Sequence, residues 1–280
     1  MKLVGQAVLI ILVNSVAVGL GAVVTNFSQN CSQFFSNPNG VVTPPDVFPG
    51  PQYRQICQKQ ANQNFYEFAT LYDSVNRIPV FSAYEYVGHK PCTRKDVWYF
   101  EPQLDDQNKG PSMAPESTVS KAMRGNNQAL GSDYEKSGYD KGHLYPVFHT
   151  NSQSCADSTF TLTNAAPQQP SFNRGEWKKM ENDLVKFLNQ NCLPNQAYVV
   201  TGVVPSTNPP VFVPSGRVNV PTHFWNAYCC LDNNLRPMFS GGYLSTNDKQ
   251  KGQSFNTTSA LEQVLSNLYP SPFHVFGGKC

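Results

Sequence analysis

The side chains best suited to chemistry lie in one stretch of the chain, residues 139–181. It contains Asp-Lys-Gly-His at 140–143, and Asn173 and Glu181 follow. A neutral histidine such as His143 can take a proton from water near pH 7. The amide oxygen of Asn173 is a hard, neutral ligand suited to Mg²⁺, and the Glu181 carboxylate can hold the metal's waters. A base, a metal ligand and a charge stabiliser suffice for hydrolysis of a phosphodiester.

A helix is predicted to position the second half of this set. Over residues 174–189 apolar side chains recur at three- and four-residue spacings, which is typical of an amphipathic helix. Asn173 stands where an N-cap residue would, with Glu176 three residues on. Asn173 and Glu181 are separated by about 80° around a helix over two turns, so both can face one site. The predicted apolar face consists of Trp177, Met180, Leu184, Phe187 and Leu188.

The rest of the chain predicts a mixture of strands and helices. Alternating or continuous apolar residues predict strands, and a terminal helix is expected over residues 259–269. Residues 102–138 are polar and predict a loop with one short helix. Because no βαβ regularity is present, we expect an α+β fold. The predicted strands are 78–87, 158–164, 197–204 and 222–231.

The order and spacing of the motifs resemble the DNA/RNA non-specific endonuclease family. DKGH at 140–143 resembles its D-R-G-H motif, and TNAAPQ at 163–168 resembles its T-N-x-x-P-Q. Asn173, Trp177 and Glu181 resemble its N-x-x-x-W-x-x-x-E helix. The resemblance implies a ββα-metal nuclease fold, with a central mixed or antiparallel sheet flanked by helices and stabilised by disulfides. A closer likeness, to one secreted vertebrate member, extends to residues 68–73, 77–84, 101–104 and 217–230.

The resemblance also implies roles for five residues. His143 would be the general base, Asn173 the direct magnesium ligand and Glu181 the support of the metal's water shell. Asp140 would orient the turn that carries the histidine. Arg94 is similar in position to an upstream arginine that steadies the phosphate in the transition state. The implied cofactor is Mg²⁺, with Mn²⁺ as a substitute, and the implied substrates are DNA and RNA.

Four more residues are expected to contact substrate or to shape its site: Lys141, Asn164, Gln168 and Arg174. Lys141 departs from the family motif, which has arginine there. Lysine keeps the positive charge but lacks the planar fork that binds a phosphate or carboxylate with two hydrogen bonds. If only charge matters at this position, activity is unaffected; if the fork matters, the site is weakened.

The N-terminal residues predict export from the cytosol. Met1-Lys2 precedes an apolar run with small residues near its end, as in a signal peptide cut between about residues 17 and 24. The alternative is an anchor that stays in the membrane. We therefore expect a secreted, extracellular protein without stable membrane insertion. The expected organisation is a signal peptide at 1–22, a Cys/Pro-rich segment at 23–64, the nuclease domain at 65–265 and a tail at 266–280.

Composition agrees with that compartment. The chain has 280 residues, a net charge of +2 and eight cysteines, an even number that suggests disulfides. Eight cysteines allow 105 pairings, and their spacing favours none of them. Three glycosylation sequons begin at Asn26, Asn30 and Asn256. The small net charge excludes a histone-like basic arm, although a local basic groove remains compatible with it.

Three functions are therefore open. The first is a secreted, Mg²⁺-dependent endonuclease that cuts DNA and RNA with little sequence preference. The second is a catalytically weak or inactive nuclease-fold protein that binds extracellular nucleic acid or a protein partner; Lys141 and the small net charge favour it. The third is a disulfide-rich adhesion module, which leaves the ordered set of site residues unexplained. The sequence identifies no protein partner.

Overall fold

The computed structural model describes residues 22–194 and 196–280. All of the predicted signal peptide except Ala22 lies outside these residues. Strands and helices are mixed along the described chain without a regular βαβ repeat, as expected for an α+β protein. The strands are β1 (Val23–Val24), β2 (Tyr53–Gln58), β3 (Phe68–Asp73), β4 (Ile78–Glu85), β5 (Asp140–His143), β6 (Ala165–Gln168), β7 (Gln196–Val204), β8 (His223–Leu231), β9 (Pro237–Thr246) and β10 (Gln253–Phe255).

Most of the helices are short. Single turns of 3₁₀ helix also occur at Ser32–Phe34, Pro38–Gly40, Glu116–Thr118, Val147–His149 and Leu162–Asn164. A π-helical segment, Asn173–Trp177, joins two of the α-helices. No helix of the described residues is long and apolar enough to cross a membrane. The α-helices are α1 (Phe27–Asn30), α2 (Pro102–Asp105), α3 (Gly131–Tyr134), α4 (Gln153–Ser158), α5 (Pro170–Phe172), α6 (Lys178–Asn191) and α7 (Thr258–Leu268).

Eight strands form one antiparallel sheet in the order β1-β2-β3-β4-β7-β8-β9-β10. Its central strands are buried on both faces. Phe81 of β4 lies in a core with Leu261 and Leu265 of α7. Tyr84, on the opposite face of the same strand, lies in a core with Leu188 of α6. The sheet therefore separates α7 from α6, and the predicted site residues lie on the α6 side.

A separate two-stranded ribbon carries the site. β5 pairs antiparallel with β6, with His143 opposite Ala165. The helical segment from Pro170 to Asn191 follows β6 directly. Two strands followed by a helix make the ββα unit that the resemblance implied, and the predicted α+β fold is confirmed.

Most of the predicted elements are found within two residues of their predicted ends, but the strand predicted over 158–164 is wrong. Helix α4 extends to Ser158, a 3₁₀ turn occupies Leu162–Asn164, and the strand begins only at Ala165. The alternation of threonines misled the prediction because these side chains are all buried. Thr159 donates a hydrogen bond to the Ala156 carbonyl, so its polarity is satisfied locally rather than by solvent.

The predicted helix cap is also wrong. Asn173 has helical backbone angles, and the helix has already begun at Pro170. Proline fixes φ near the helical value and has no N–H to leave unpaired, which favours the first helical position. The predicted apolar face is correct: Trp177, Leu184 and Leu188 are buried. The region 102–138 contains three short helical turns instead of one.

Three disulfides link distant parts of the chain to the main sheet. Cys31–Cys57 joins the N-terminal segment to β2, Cys192–Cys230 joins the end of α6 to β8, and Cys229–Cys280 joins the C terminus to β8. Cys92 and Cys155 are free thiols. Closing such loops stabilises a fold mainly by restricting the unfolded chain.

Candidate active site

An open cleft of about 930 Å³ lies where the β5–β6 ribbon meets the start of the long helix. Of the nine predicted site residues, the structure brings seven to this cleft and leaves two behind it. The seven are Arg94, Asp140, Lys141, His143, Asn173, Arg174 and Glu181.

His143 is the last residue of β5 and is 9% exposed at the cleft wall. Its ring packs between Trp98 and Phe160, at centroid distances of 5.0 and 4.9 Å. Its Nε2 has no hydrogen-bond partner among the described residues. Burial, together with the nearby Arg94, lowers the pKa of His143 to about 3. The imidazole is therefore neutral at physiological pH, as a general base must be.

The glycine of the DKGH motif allows the ribbon to close. A Cβ atom on Gly142 would overlap the side chain of Gln168, a residue of β6 that pairs with Asp140 two positions before the glycine. Gln168 is fully buried, and both polar atoms of its amide lack partners among the described residues. Gln168 therefore lies behind the cleft wall, away from the surface that a substrate would touch.

Asn164 also lies behind the cleft and is fully buried. Its Oδ1 accepts hydrogen bonds from the backbone N–H of Tyr145 at 2.9 Å and from the Ser82 hydroxyl at 2.9 Å. Its Nδ2 donates to the carbonyls of Tyr145 and Thr159, both at 3.0 Å. These bonds fix the backbone two residues after His143 to the main sheet. Asn164 and Gln168 are therefore buried behind the cleft that the other seven predicted residues line.

Asp140 joins the ribbon to the helix. It accepts a hydrogen bond from Nδ2 of Asn173 at 2.9 Å. Its two oxygens also accept hydrogen bonds from the Arg174 guanidinium, Oδ2 from Nε at 2.9 Å and Oδ1 from Nη2 at 2.6 Å. With its nitrogen held by Asp140, Asn173 keeps its Oδ1 without a hydrogen-bond partner among the described residues. Arg174, expected to bind substrate, makes this two-point contact with Asp140 in the structure.

Glu181 lies one helical turn beyond the buried Trp177. Burial raises the pKa of its carboxyl to about 8, against the opposing influences of Trp177, Lys178 and Arg94. Its backbone carbonyl accepts a 3.1 Å hydrogen bond from Nε2 of His149. Nδ1 of His149 then accepts one from the Tyr84 hydroxyl at 2.7 Å. His149 thus connects the site helix to the main sheet. This residue was not predicted from the sequence, because a single histidine outside any motif does not indicate such a role.

Two basic side chains lie over aromatic rings at the cleft. The Lys141 Nζ is 5.0 Å from the centroid of Trp98 and 5.9 Å from that of Tyr134. The Arg94 guanidinium lies 4.9 Å from the ring of Phe160. Such cation–π contacts restrict a flexible side chain without neutralising its charge. Both cations therefore stay available for a phosphate.

The donor set fits a hard divalent cation. Asn173 offers an amide oxygen and Glu181 a carboxyl group, and both line the same cleft. Burial raises the pKa of Glu181 despite the nearby Lys178 and Arg94, so a further cation at this carboxyl would favour its charged form. No cluster of three or more His, Cys, Asp or Glu side chains suited to a metal occurs within 22–194 and 196–280. The fit therefore depends on Asn173 and Glu181.

The two buried histidines predict loss of stability in acid. Burial lowers the pKa of His149 to about 4, and that of His143 lies near 3. An unfolded imidazole has a pKa near 6.5. Between about pH 6.5 and pH 4 the unfolded chain thus binds more protons at these residues, and their contribution to stability falls as the pH falls.

Urea unfolding of the wild type and of His143→Gln from pH 7 to pH 4.5 checks this. Glu181 titrates in the opposite sense, because its pKa is raised, but it does so in both proteins. The difference between them isolates His143. We expect the variant to lose less stability than the wild type over this range. Equal losses would show that His143 is not held neutral by the fold.

The chain belongs to the DNA/RNA non-specific endonuclease family, whose family model matches residues 51–267. It is 34% identical over 254 residues to the Endonuclease domain-containing 1 protein of Homo sapiens. That alignment covers 89% of this chain and 47% of the relative. It is 30% identical over 157 residues to the mitochondrial Endonuclease G of Homo sapiens, covering 49% of each. The chain spans about half the length of these curated relatives.

A solved structure, the crystal structure of the EndoG/EndoGI complex, aligns with a TM-score of 0.49 and 21% identity, covering 74% of this chain and 84% of that chain. The resemblance drawn from the DKGH motif and the N-x-x-x-W-x-x-x-E helix is confirmed by the family match. The closer likeness to one member agrees with the long alignment to the Endonuclease domain-containing 1 protein.

Proposed function

We propose that this protein is a secreted, Mg²⁺-dependent endonuclease that hydrolyses phosphodiester bonds of DNA and RNA with little sequence preference. One observation carries the proposal: a neutral, buried His143 and the unpartnered amide oxygen of Asn173 line the same cleft. The names of the curated nuclease relatives support the reaction class. The three disulfides and the cysteine count support an oxidising, extracellular environment.

The chain's own residues divide the work as follows. His143 takes a proton from the water that attacks phosphorus, while the bond from phosphorus to the leaving sugar oxygen breaks and that oxygen takes a proton from solvent. Arg94 and Lys141 stabilise the negative charge on the phosphate oxygens as the pentavalent transition state forms. Asn173 would hold the metal through Oδ1, and Glu181 would hold its waters. When bound, Mg²⁺ supplies a Lewis acid that neutralises charge on the scissile phosphate.

Asp140 and Arg174 act as positioning residues in this scheme. Arg174→Ala removes the two-point contact that fixes Asp140, so Asn173 loses its orientation. Changes of this kind around a metal ligand typically lower metal affinity or activity by about 10–100-fold. We expect Arg174→Ala to raise the Mg²⁺ concentration needed for half-maximal cleavage. Arg174→Lys should raise this concentration almost as much, because lysine lacks the planar fork of the guanidinium group.

A Mg²⁺ titration of cleavage, together with binding of an oligonucleotide in EDTA, checks this role. The matched control is Lys178→Ala, which removes another cation from the cleft lining. A substrate contact at Arg174 would weaken binding in EDTA and leave the Mg²⁺ requirement unchanged. That result would contradict the positioning role.

Metal removal tests the function as a whole. The endonuclease should be silent in EDTA and should recover with Mg²⁺ or Mn²⁺. A nuclease-fold binding protein would bind nucleic acid equally with or without metal and would cut in neither case. Lys141 in place of arginine favours this second function, and Lys141→Arg would then be the first variant to restore activity.

We also propose the domain organisation expected from the sequence: a signal peptide at 1–22, a Cys/Pro-rich segment at 23–64, the nuclease domain at 65–265 and a tail at 266–280. N-terminal sequencing of the exported chain tests the first boundary. A mature N terminus between residues 17 and 24 supports it, and a chain that retains Met1 contradicts it.

A further inference from the structure

One aromatic ring at the cleft has no role in the scheme above. Phe148 is 38% exposed and lines the cleft together with His143, Asn173 and Lys178. It lies in the 3₁₀ turn Val147–His149, which begins four residues after His143, the last residue of β5. Single exposed apolar side chains are common on protein surfaces, so it is the position of Phe148 in the cleft, and not its exposure alone, that indicates a role in binding.

The three other Phe, Tyr or Trp rings that line the cleft are less exposed: Trp98 and Tyr139 are partly buried against the core, and Tyr134 is buried. Trp98 has Lys141 over its ring and packs against His143 and Phe160. Tyr134 is only 7% exposed. Phe148, in contrast, packs against His89 at a centroid distance of 4.5 Å and is open to the cleft. Its ring is therefore the one best placed to take a flat partner.

The turn that carries Phe148 is held in place. The next residue, His149, bridges the Glu181 carbonyl at 3.1 Å and the Tyr84 hydroxyl at 2.7 Å. The Thr150 hydroxyl donates to the Val147 carbonyl at 2.7 Å, which closes the turn. A ring fixed in this way loses little side-chain entropy when another ring stacks on it.

The charges around the cleft indicate what the flat partner is. Arg94, Lys141 and Lys178 line the same cleft, so an anionic strand would be drawn into it. A strand whose phosphate lies at His143 presents its bases to either side. Aromatic rings beside a basic groove stack the bases of single strands, because every base has a π face and that face is free when the base is not stacked within a duplex.

We propose that Phe148 is a stacking platform for a nucleobase next to the scissile phosphate, and that the cleft consequently prefers single-stranded or locally unpaired nucleic acid over duplex. The proposal rests on the proposed nuclease function, of which it specifies the substrate class. In a duplex the bases stack on one another, so the platform could be used only after unstacking.

Binding and cleavage by the full exported chain test the proposal. The probes are a fluorescent single-stranded oligonucleotide, its duplex, an abasic strand of the same length, and bis(4-nitrophenyl) phosphate, a diester without bases. We expect Phe148→Ala to weaken binding of the single strand in EDTA, and its kcat/KM in Mg²⁺, by between about 5-fold and about 150-fold. The abasic strand, the duplex and the small diester should change less than about twofold, and Phe148→Trp should restore the loss.

Phe212→Ala is the matched control, because Phe212 is 41% exposed and lies outside the cleft lining. Unchanged binding of the single strand by Phe148→Ala, or an equal loss for the single and abasic strands, would overturn the platform. Failure of the nuclease function is distinguishable: the wild type would then cut no probe, while the binding measurement in EDTA would still decide the role of Phe148.

Discussion

His143→Ala is expected to lower the rate of phosphodiester cleavage by about 10²–10⁴-fold, the range that a positioned general base contributes. The imidazole is buried between two aromatic rings and is neutral, with a pKa of about 3. Alanine has no atom that can take the proton of the attacking water. Initial rates on plasmid DNA and on RNA at saturating Mg²⁺ measure the effect.

The folded state of this variant must survive for the result to be informative. The ring makes packing contacts but has an unpartnered Nε2, so its removal leaves no hydrogen-bond partner unsatisfied there. We expect a single cooperative thermal transition. His274→Ala is the matched control, because His274 is half exposed and pairs with Asp46 away from the cleft. Wild-type cleavage by folded His143→Ala would contradict the assignment of the base.

Asn173→Ala is expected to have the second largest effect, through the metal. Its Oδ1 is the proposed direct ligand, and its nitrogen is held by Asp140 at 2.9 Å. Removal of the amide should lower cleavage by at least about 100-fold at a Mg²⁺ concentration that saturates the wild type, with partial recovery at higher Mg²⁺. Asn173→Asp retains an oxygen ligand, so it should need less Mg²⁺ than the alanine variant.

A cleft-lining asparagine on the same helix provides the control. The side-chain N–H of Asn182 donates a hydrogen bond to the Lys178 carbonyl at 2.8 Å, and Asn182 is not proposed as a metal ligand. Cleavage and Mg²⁺ titrations of Asn182→Ala should match the wild type within about threefold. If Asn173→Ala and Asn182→Ala behaved alike, Asn173 would be a helix residue without a special relation to the metal.

The residues around the site could be predicted because their constraints are local. Gly142 must lack a side chain for the ribbon to close over Gln168, and Trp177 must be apolar to enter the core. Such requirements leave a fixed spacing along the chain. The helix over 174–189 was predictable for the same reason, since one face of it is buried.

The remaining errors arise where distant contacts decide the structure. Asn173 was expected to cap a helix, but its side chain donates a hydrogen bond to Asp140 of the ribbon. The helix begins earlier, at Pro170. Asn164 was expected to contact substrate or to shape its site, and the hydrogen bonds that it forms with the backbone of Tyr145 could not be foreseen. The sequence pattern around a residue does not reveal which distant residue its side chain contacts in the folded chain.

The long-range topology was equally out of reach. The order of the eight strands joins β4 to β7 across more than a hundred residues, and cysteine spacing leaves 105 pairings open. The structure shows both the strand order and the disulfides. Cys229 and Cys230 are adjacent in sequence and lie in the cores on opposite faces of β8. They therefore bond to different parts of the chain.

One measurement tests the central claim most directly: cleavage of plasmid DNA and of RNA by the full exported chain and by His143→Ala, each with Mg²⁺ and with EDTA. We expect nicking and RNA hydrolysis by the wild type in Mg²⁺, cleavage by His143→Ala in Mg²⁺ that is slower by about 10²–10⁴-fold, and none by either protein in EDTA. A folded wild type that binds nucleic acid but cuts neither substrate in Mg²⁺ would contradict the central claim and would leave a nuclease-fold binding protein in its place.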